Sequence, residues 1–328
     1  MTQQGAQRSQ FQARILPLIL MLLVLVGAVG VLPAMAAEER MPSPQQLAPG
    51  VYAVVNQHAE ATAENRGAVG NQGILIGDKG VIVVDTGTSV RYAAELLAAV
   101  RRLTSKPIVL VINTHQHPAF IFGNGALALQ GVPILAHRAA AELIEQRCDK
   151  CLKNLNDILG KDEMQGTQVV APTRIIEGPA SLKVAGRWLD IVYYGRSSSP
   201  GSIGVIDRAS KVLFAGGLVS IDRVPDTRDA QIETWLRALQ ALKRQPLRVV
   251  VPGEGPVAPV ARLEELERYL TALQSTVEKT YQQGVSLGEA GARSELPEFK
   301  NWLAYHSVHS RNVEHLYLQL EQAAFDKR

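Results

Sequence analysis

This sequence of 328 residues contains few cysteines and few aromatic side chains, and its net charge is small. There are two cysteines, and neither lies near the N-terminal apolar segment, which argues against a lipid-anchored N-terminus. Aromatic residues make up 5% of the chain, a low content that is compatible with an α/β protein. The formal net charge is +3, so the composition does not favour nucleic acid or an anionic lipid surface as a partner.

The first 36 residues have the pattern of an export signal. Arg8 and Arg14 precede an apolar run over residues 15–32, and a small-x-small cleavage site ends at Ala36. We expect residues 1–36 to be removed, which lowers the net charge by two. The alternative is an uncleaved membrane anchor, because the run approaches the length that spans a bilayer. In both cases the folded part is expected in the periplasm, since the two arginines hold the N-terminus inside.

Strand and helix patterns alternate after a polar, proline-rich stretch over 37–49 that is typical of a linker. Ile108 to Ile112 is a continuous apolar run, typical of a buried strand, and Tyr92 to Leu103 has apolar residues at helical spacing. Two strand-rich halves, each followed by helices, predict an α/β fold with two sheets packed face to face and helices outside, an αββα four-layer sandwich. We predict this domain over 50–282 and a helical C-terminal extension over 283–328.

The two cysteines, Cys148 and Cys151, have Cys-x-x-Cys spacing in a polar insertion predicted over 148–172. In an exported protein this spacing favours a local structural disulfide. A redox-active pair and half of a metal site are the alternatives. A redox pair normally opens a helix after a strand, whereas Glu142 to Cys148 already has a helical pattern.

Five short motifs carry the functional information. In chain order they are Val83-Val84-Asp85-Thr86-Gly87, Asn113-Thr114-His115-Gln116-His117-Pro118-Ala119-Phe120, Ser197-Ser198-Ser199-Pro200-Gly201-Ser202, Phe214-Ala215-Gly216-Gly217-Leu218-Val219 and Val251-Pro252-Gly253-Glu254-Gly255. Each motif alone is weak, but together their order and spacing resemble the metallo-β-lactamase-fold superfamily of metallohydrolases. The resemblance extends from about residue 49 to 282 and implies the αββα fold with a zinc-dependent hydrolytic centre.

Most of the ligand positions that this resemblance implies hold other residues. In such enzymes one zinc takes three His, the second takes an Asp and two His, and a further Asp bridges them. The chain keeps His115 and His117; the other positions hold Ser198, Ala119, Phe120, Glu254 and Gly217. A hydrolytic zinc needs about three protein ligands plus a water, and without the ion no bound water has its pKa lowered. We therefore expect no cofactor, or one weakly bound zinc.

Glu254 is the substituted position that still carries a metal-binding group. Together with His115 and His117 it would complete a set of two His and one carboxylate, the ligand set of an alternative mononuclear zinc hydrolase. Asp85 is expected to keep a structural role by accepting hydrogen bonds that brace the histidine loop.

The segment from Arg311 to Glu321 and the Cys-x-x-Cys insertion resemble one exported branch of the superfamily, the sulfur-oxidation-associated and quinoprotein-relay-associated zinc metallohydrolase-like proteins. This resemblance implies a periplasmic accessory role. The sequence thus favours a non-catalytic or weakly active protein that binds a periplasmic protein or a small molecule in the former active-site cleft. It would meet the membrane only if the N-terminal segment is retained. A mononuclear zinc hydrolase and a thiol-redox accessory are the alternatives.

Overall fold

The computed structural model describes residues 41–326, so the expected export segment lies outside the described part of the chain. The larger of its two sheets has seven strands that are neighbours in chain order. They are β1 (Gln45–Ala48), β2 (Val51–Val54), β3 (Gln72–Ile76), β4 (Val81–Val84), β5 (Ile108–Ile112), β6 (Ile134–His137) and β7 (Arg174–Ile176). Strands β1 to β4 are antiparallel, whereas β4 to β7 run parallel.

The second sheet has five strands in the order β12-β11-β10-β9-β8. Their bounds are β8 (Ala180–Val184), β9 (Arg187–Tyr193), β10 (Ile203–Asp207), β11 (Val212–Ser220) and β12 (Val249–Glu254). Strands β8 to β11 form an antiparallel meander, and β12 returns parallel to β11. A parallel return of this kind requires a crossover, which a helix supplies.

The described helices are α1 (Val90–Leu103), α2 (Pro118–Ile121), α3 (Asn124–Ala128), α4 (Arg138–Leu159), α5 (Lys161–Met164), α6 (Ile232–Lys243), α7 (Leu263–Gln282), α8 (Leu287–Arg293) and α9 (Tyr305–Phe325). Short 3₁₀ turns occur at Val260–Arg262 and Pro297–Phe299. Helix α6 is the crossover between β11 and β12. No helix within residues 41–326 has both the length and the apolar character that a membrane span requires.

Alternation along the strands builds the layers. In β4, Val81 and Val83 pack with the buried face of α1, whereas Ile82 belongs to the apolar layer between the two sheets. In β11, Phe214 faces the layer between the sheets and Leu213 faces the helices. Because side chains of a strand point to opposite faces in turn, each sheet covers the shared layer on one side and helices on the other. This arrangement confirms the predicted four-layer αββα sandwich.

The expected linker over 37–49 contains an edge strand. Strand β1 pairs antiparallel with β2, with Gln45 opposite Ala53. Leu47 and Ala48 pack against the apolar layer between the sheets. The polar, proline-rich composition concealed this strand, because a short edge strand needs few apolar residues.

Helix α4 corrects two sequence-based expectations. It continues through Cys148 and Cys151 to Leu159, so the predicted insertion over 148–172 begins as helix rather than loop. Both thiols are free, and the predicted structural disulfide is absent. The reason is packing: Cys148, Leu155 and Leu159 lie at helical spacing and are buried in one cluster with Phe120.

The C-terminal helices pack into the same core as the second sheet. Val308, Val313 and Tyr317 of α9 are buried in one cluster with Trp235 of α6 and Leu270 of α7. Asn312 of α9 is also fully buried and ties the helix to a loop of the domain. Its Oδ1 accepts from the Thr227 amide at 3.0 Å, and its Nδ2 donates to the Pro225 carbonyl at 2.8 Å and to the Tyr269 hydroxyl at 3.1 Å.

Replacing Asn312 tests whether the C-terminal helices are integral to the fold. We expect Asn312→Ala to lower the free energy of unfolding by about 2–4 kcal/mol, because it leaves buried hydrogen-bonding groups without partners. Glu314→Ala, at an exposed position of the same helix, is the control and should change stability by less than about 0.5 kcal/mol. Urea unfolding measures both. Equal stabilities of the two variants would show that α9 is an appendage.

Candidate functional site

The five sequence motifs meet at one edge of the sandwich. Asp85 follows β4, the loop with His115 and His117 follows β5, and Glu254 ends β12. Since β4 and β5 are parallel, their carboxyl ends lie side by side, and β12 brings its own end beside β11. A cleft at the carboxyl ends of parallel strands is a common position for a ligand site.

Asp85 braces the histidine loop. Its Oδ1 accepts from the Thr114 amide at 2.8 Å and its Oδ2 accepts from the Thr114 hydroxyl at 2.7 Å. The Thr114 hydroxyl is in turn 2.9 Å from Nδ1 of His115. Complete burial raises the pKa of Asp85 to about 8, although the two hydrogen bonds from Thr114 partly oppose the rise. Asp85 thus holds the histidine loop through both of its carboxylate oxygens.

His115 and His117 lie together, and Phe120 packs against both rings. The two imidazole centroids are 6.1 Å apart, and the Phe120 centroid is 4.4 Å from His115 and 5.8 Å from His117. Burial, helped by the neighbouring His117, lowers the pKa of His115 to about 3. Burial also lowers the pKa of His117. Both rings are therefore neutral at neutral pH, although the charges of Glu254, Asp226, Arg223 and Arg228 also act on His117.

His117 also has a structural task. It is the N-cap of α2, where its Nδ1 accepts from the Ala119 amide at 3.4 Å. Pro118 occupies the first helical position, which suits its fixed backbone angle. With Nδ1 accepting a hydrogen bond, the proton of the neutral ring resides on Nε2.

Glu254 is paired with a cation that no motif contains. Its Oε2 is 2.7 Å from Nε of Arg223, and both side chains are mostly buried. Arg223 also donates from a terminal nitrogen to the Ala59 carbonyl at 3.0 Å. The carboxylate is thus neutralised by arginine. Its partner escaped sequence analysis because an ion pair between distant segments leaves no local pattern.

The remaining substituted positions, Ala119, Ser198 and Gly217, also line the cleft. Ala119 is buried beside Phe120. Ser198 donates from its hydroxyl to the Ser202 hydroxyl at 2.8 Å. At Gly217 a Cβ atom would lie 2.8 Å from Cδ2 of His115, closer than side chains normally approach. The His115 ring therefore occupies the space in which a side chain at position 217 would begin.

A zinc centre, which the fold family implies, does not fit these residues. The rings of His115 and His117 are packed against Phe120, and Nδ1 of His117 is used as a helix cap. Glu254, the third expected ligand, is held by Arg223. Across residues 41–326 no three His, Cys, Asp or Glu side chains come together as a group that could hold an ion. The structure brings the two histidines together without a third donor.

These residues line a cleft of about 530 Å³. His115, Phe120 and Gly217 line it, and α4 and α9 contribute apolar side chains to its walls. Those apolar residues are Leu143, Leu155, Ile158 and Val308. The size of the cleft is typical of a small-molecule site, and its lining combines apolar side chains with arginines and carboxylates.

Arginines and carboxylates both line the cleft. Nη1 of Arg147 donates to Asp229 at 2.8 Å, and Arg228 is 3.2 Å from Asp226. Arg311 of α9 is exposed and also lines the cleft. Unlike Arg147, Arg223 and Arg228, it has no carboxylate partner among the described residues. The sequence offered no signal for it, because its position depends on how α9 packs.

Comparison with known sequences agrees with the fold. The family model of the metallo-beta-lactamase superfamily matches residues 66–254, more than half of the chain. A linear primary-alkylsulfatase of Pseudomonas sp. (strain ATCC 19151) is 24% identical over 237 residues, which cover 62% of this chain and 44% of that protein. A metallo-beta-lactamase type 2 of Bacillus sp. (strain 170) is 25% identical over 206 residues, covering 61% of this chain and 72% of that protein.

Solved structures share the architecture at low sequence identity. A metallo-beta-lactamase from Pontibacter korlensis superposes with a TM-score of 0.57 at 20% identity, covering 70% of this chain and 98% of its own. The stereoselective inverting sec-alkylsulfatase Pisa1 from Pseudomonas sp. gives a TM-score of 0.65 at 18% identity, covering 85% and 50%. The chain thus spans about half the length of either alkylsulfatase. Motifs, architecture and family match agree that this chain belongs to the metallo-beta-lactamase superfamily.

Proposed function

We propose that this protein is a non-hydrolytic member of the superfamily that binds a small molecule in the cleft and acts as a periplasmic accessory protein. The observation that carries the proposal is the packing of Phe120 against neutral, buried His115 and His117. A hydrolytic zinc site requires about three protein ligands and an open position for water. Here two imidazoles are available, and an aromatic ring lies beside them.

The cellular location rests on the N-terminal sequence. Arg8, Arg14 and the apolar run that follows support export, and the small residues ending at Ala36 support cleavage. The resemblance of Arg311 to Glu321 to the quinoprotein-associated branch is in keeping with a periplasmic accessory role. Cell fractionation followed by N-terminal sequencing tests this. A membrane-bound protein with its first residues intact would favour the anchor alternative.

The cleft suits an organic anion with an apolar chain. Leu143, Leu155, Ile158 and Val308 offer apolar contact, while Arg311 lines the cleft and forms no ion pair with a carboxylate of the described residues. Two of the similar proteins are named as alkylsulfatases, so an alkyl sulfate is a reasonable probe of this chemistry. Arginine binds such oxyanions through several N–H donors at once.

Zinc binding is the direct test of the non-hydrolytic assignment. After zinc loading and dialysis, we expect well below one equivalent of zinc in the wild-type protein, because two His side chains do not complete a site. Glu254→Ala should leave the zinc content unchanged, since that carboxylate is paired with Arg223. Elemental analysis of the dialysed protein measures both.

Stoichiometric zinc that is lost in Glu254→Ala would favour the alternative, a mononuclear zinc hydrolase built on His115, His117 and Glu254. Turnover of a lactam, thioester or sulfate ester that depends on this zinc would settle the matter against our proposal. Arg237→Gln, on the exposed face of α6, serves as the matched variant for general effects of purification and dialysis.

Arg311 tests the proposed ligand class. Octyl sulfate, used below its micelle concentration, should bind the wild-type protein, and Arg311→Gln should weaken binding about tenfold, which is about 1.4 kcal/mol. The affinity for octanol should be the same in the wild type and in Arg311→Gln, because octanol lacks the charged sulfate group. Isothermal titration calorimetry measures each affinity, with Arg237→Gln as the control. Equal octyl sulfate affinity of Arg311→Gln and the control would rule out this head-group contact.

A further inference from the structure

His309 of α9 is a buried histidine that bonds to two other helical segments. It is 3% exposed, and its Nδ1 is 3.1 Å from the hydroxyl of Tyr269 on α7. Its Nε2 is 2.9 Å from the carbonyl oxygen of Ser294, the residue that follows α8. Tyr305 stacks on the imidazole, with the ring centroids 4.5 Å apart and the planes at 14°. The ring therefore ties α9 to α7 and to the end of α8, a role that the function proposed above does not use.

The hydrogen bonds of His309 fix its protonation state. The carbonyl oxygen of Ser294 can only accept, so the Nε2 atom carries a proton and the neutral ring offers Nδ1 as an acceptor. The hydroxyl of Tyr269 accepts from Nδ2 of Asn312 at 3.1 Å and donates its own proton to Nδ1. Burial raises the pKa of Tyr269, so the hydroxyl keeps that proton. The chain of donors and acceptors is complete when the imidazole is neutral.

A second proton on His309 is incompatible with this chain. It would turn Nδ1 into a donor that points at the Tyr269 hydroxyl. That oxygen would then face donors from both His309 and Asn312, and its own proton would lose its acceptor. The charged imidazolium would also be buried, which costs free energy. The packed arrangement therefore excludes the proton that an exposed histidine takes up in mild acid.

The charged groups around His309 do not compensate for its burial. The ionisable side chains next to it are buried or partly buried tyrosines and exposed charged or titratable groups: Tyr269, Tyr305, His306, Glu295 and Lys300. Burial lowers the pKa of His309, and the hydrogen bond to Ser294 and the charge of Glu295 oppose this. Glu295 is exposed and is 2.6 Å from the ammonium group of Lys300, so its effect on the buried ring is screened.

Helix α9 forms part of the cleft wall at this point. Val308 and Arg311, which lie on either side of His309 in the chain, both line the cleft. Asn312, which bonds to the same tyrosine hydroxyl as His309, also accepts from the Thr227 amide. The two chain neighbours of Thr227 line the cleft as well. The position of this wall thus depends on the bonds that His309 makes.

We propose that His309 is a pH-sensitive switch: the neutral ring fastens α9 to α7 and α8, and its protonation in mild acid releases α9 and with it one wall of the cleft. A histidine in the released or unfolded chain takes up a proton near pH 6.5. The packed ring resists that proton, so the stability it contributes is present above about pH 6.5 and is lost as the pH falls below it. The switch does not depend on what the cleft binds, and the protein alone is enough to test it.

Urea unfolding at pH 7.5 and at pH 5.0 measures the contribution of His309. In the wild type, we expect this one group to raise the unfolding equilibrium constant by about 10- to 30-fold between the two pH values, since one proton changes it by up to about tenfold per pH unit below 6.5. His309→Gln can still donate to the Ser294 carbonyl but does not titrate, so its loss of stability should be smaller by that factor.

His306→Gln is the matched control, because His306 is an exposed histidine on the same helix. It should lose as much stability on acidification as the wild type. Comparing the change between the two pH values removes the effect that either substitution has at both. An equal loss in the wild type and in His309→Gln would overturn the proposal.

Nitrogen NMR of wild-type protein labelled with ¹⁵N-histidine needs no folded variant. At pH 7 the His309 signals, identified by contacts with the Tyr305 ring, should show a proton on Nε2 and none on Nδ1. The same pattern should persist in the folded protein at pH 6. A proton on Nδ1 at pH 7, or a doubly protonated ring in the folded protein at pH 6, would contradict the switch.

Hydrogen exchange read by mass spectrometry tests the release of α9. After correction for the intrinsic effect of pH on exchange, peptides from α9 should lose protection between pH 7.5 and pH 5.0 before peptides from β11 do. This difference should persist in His306→Gln and be much smaller in His309→Gln. An equal loss of protection in α9 and β11 of the wild type would show that acid does not release the helix.

Discussion

The packing of one aromatic ring against two imidazoles is the contact on which the rest of the site depends. Phe120 lies 4.4 Å from the ring centroid of His115 and 5.8 Å from that of His117. Burial lowers the pKa of both histidines, so both rings are neutral at neutral pH. Each ring packs against Phe120. A metallohydrolase needs such rings to bind an ion, whereas here both rings pack against Phe120.

The residues around this pair fit the same account. Glu254 is neutralised by Arg223 and Gly217 leaves room for the His115 ring, while Asp85 still braces the loop through Thr114. The chain thus combines the family architecture with an arginine–carboxylate pair and an aromatic ring at the site. Membership of the family therefore predicts the architecture of this protein but not its chemistry, which has to be inferred from the residues of the site.

Strong local patterns allowed much of the fold to be predicted. The continuous apolar run of β5, Ile108–Ile112, has the predicted bounds, and the alternation in β4 gives the sandwich its layers. Segments with weak local patterns were not predicted correctly. Polar residues between Cys148 and Leu159 concealed the second half of α4, and the short edge strand β1 resembled a linker.

The candidate site was predictable where its residues lie in motifs and hidden where they do not. The motifs that contain His115, His117 and Asp85 follow strands, so the sequence could bring these residues to one edge of a sheet. Arg223 and Arg311 were missed, since their positions depend on contacts between segments far apart in the chain. Because Glu254 forms an ion pair with Arg223, its motif alone could not show whether the carboxylate is free to bind a metal ion.

Anomalous diffraction from crystals soaked in zinc and measured at the zinc absorption edge tests the central claim most directly. The account predicts no anomalous peak within bonding distance, about 2.0–2.2 Å, of both His115 and His117, and a Phe120 ring that keeps its place against them. A fully occupied peak shared by the two imidazoles, with the Phe120 ring displaced, would contradict it.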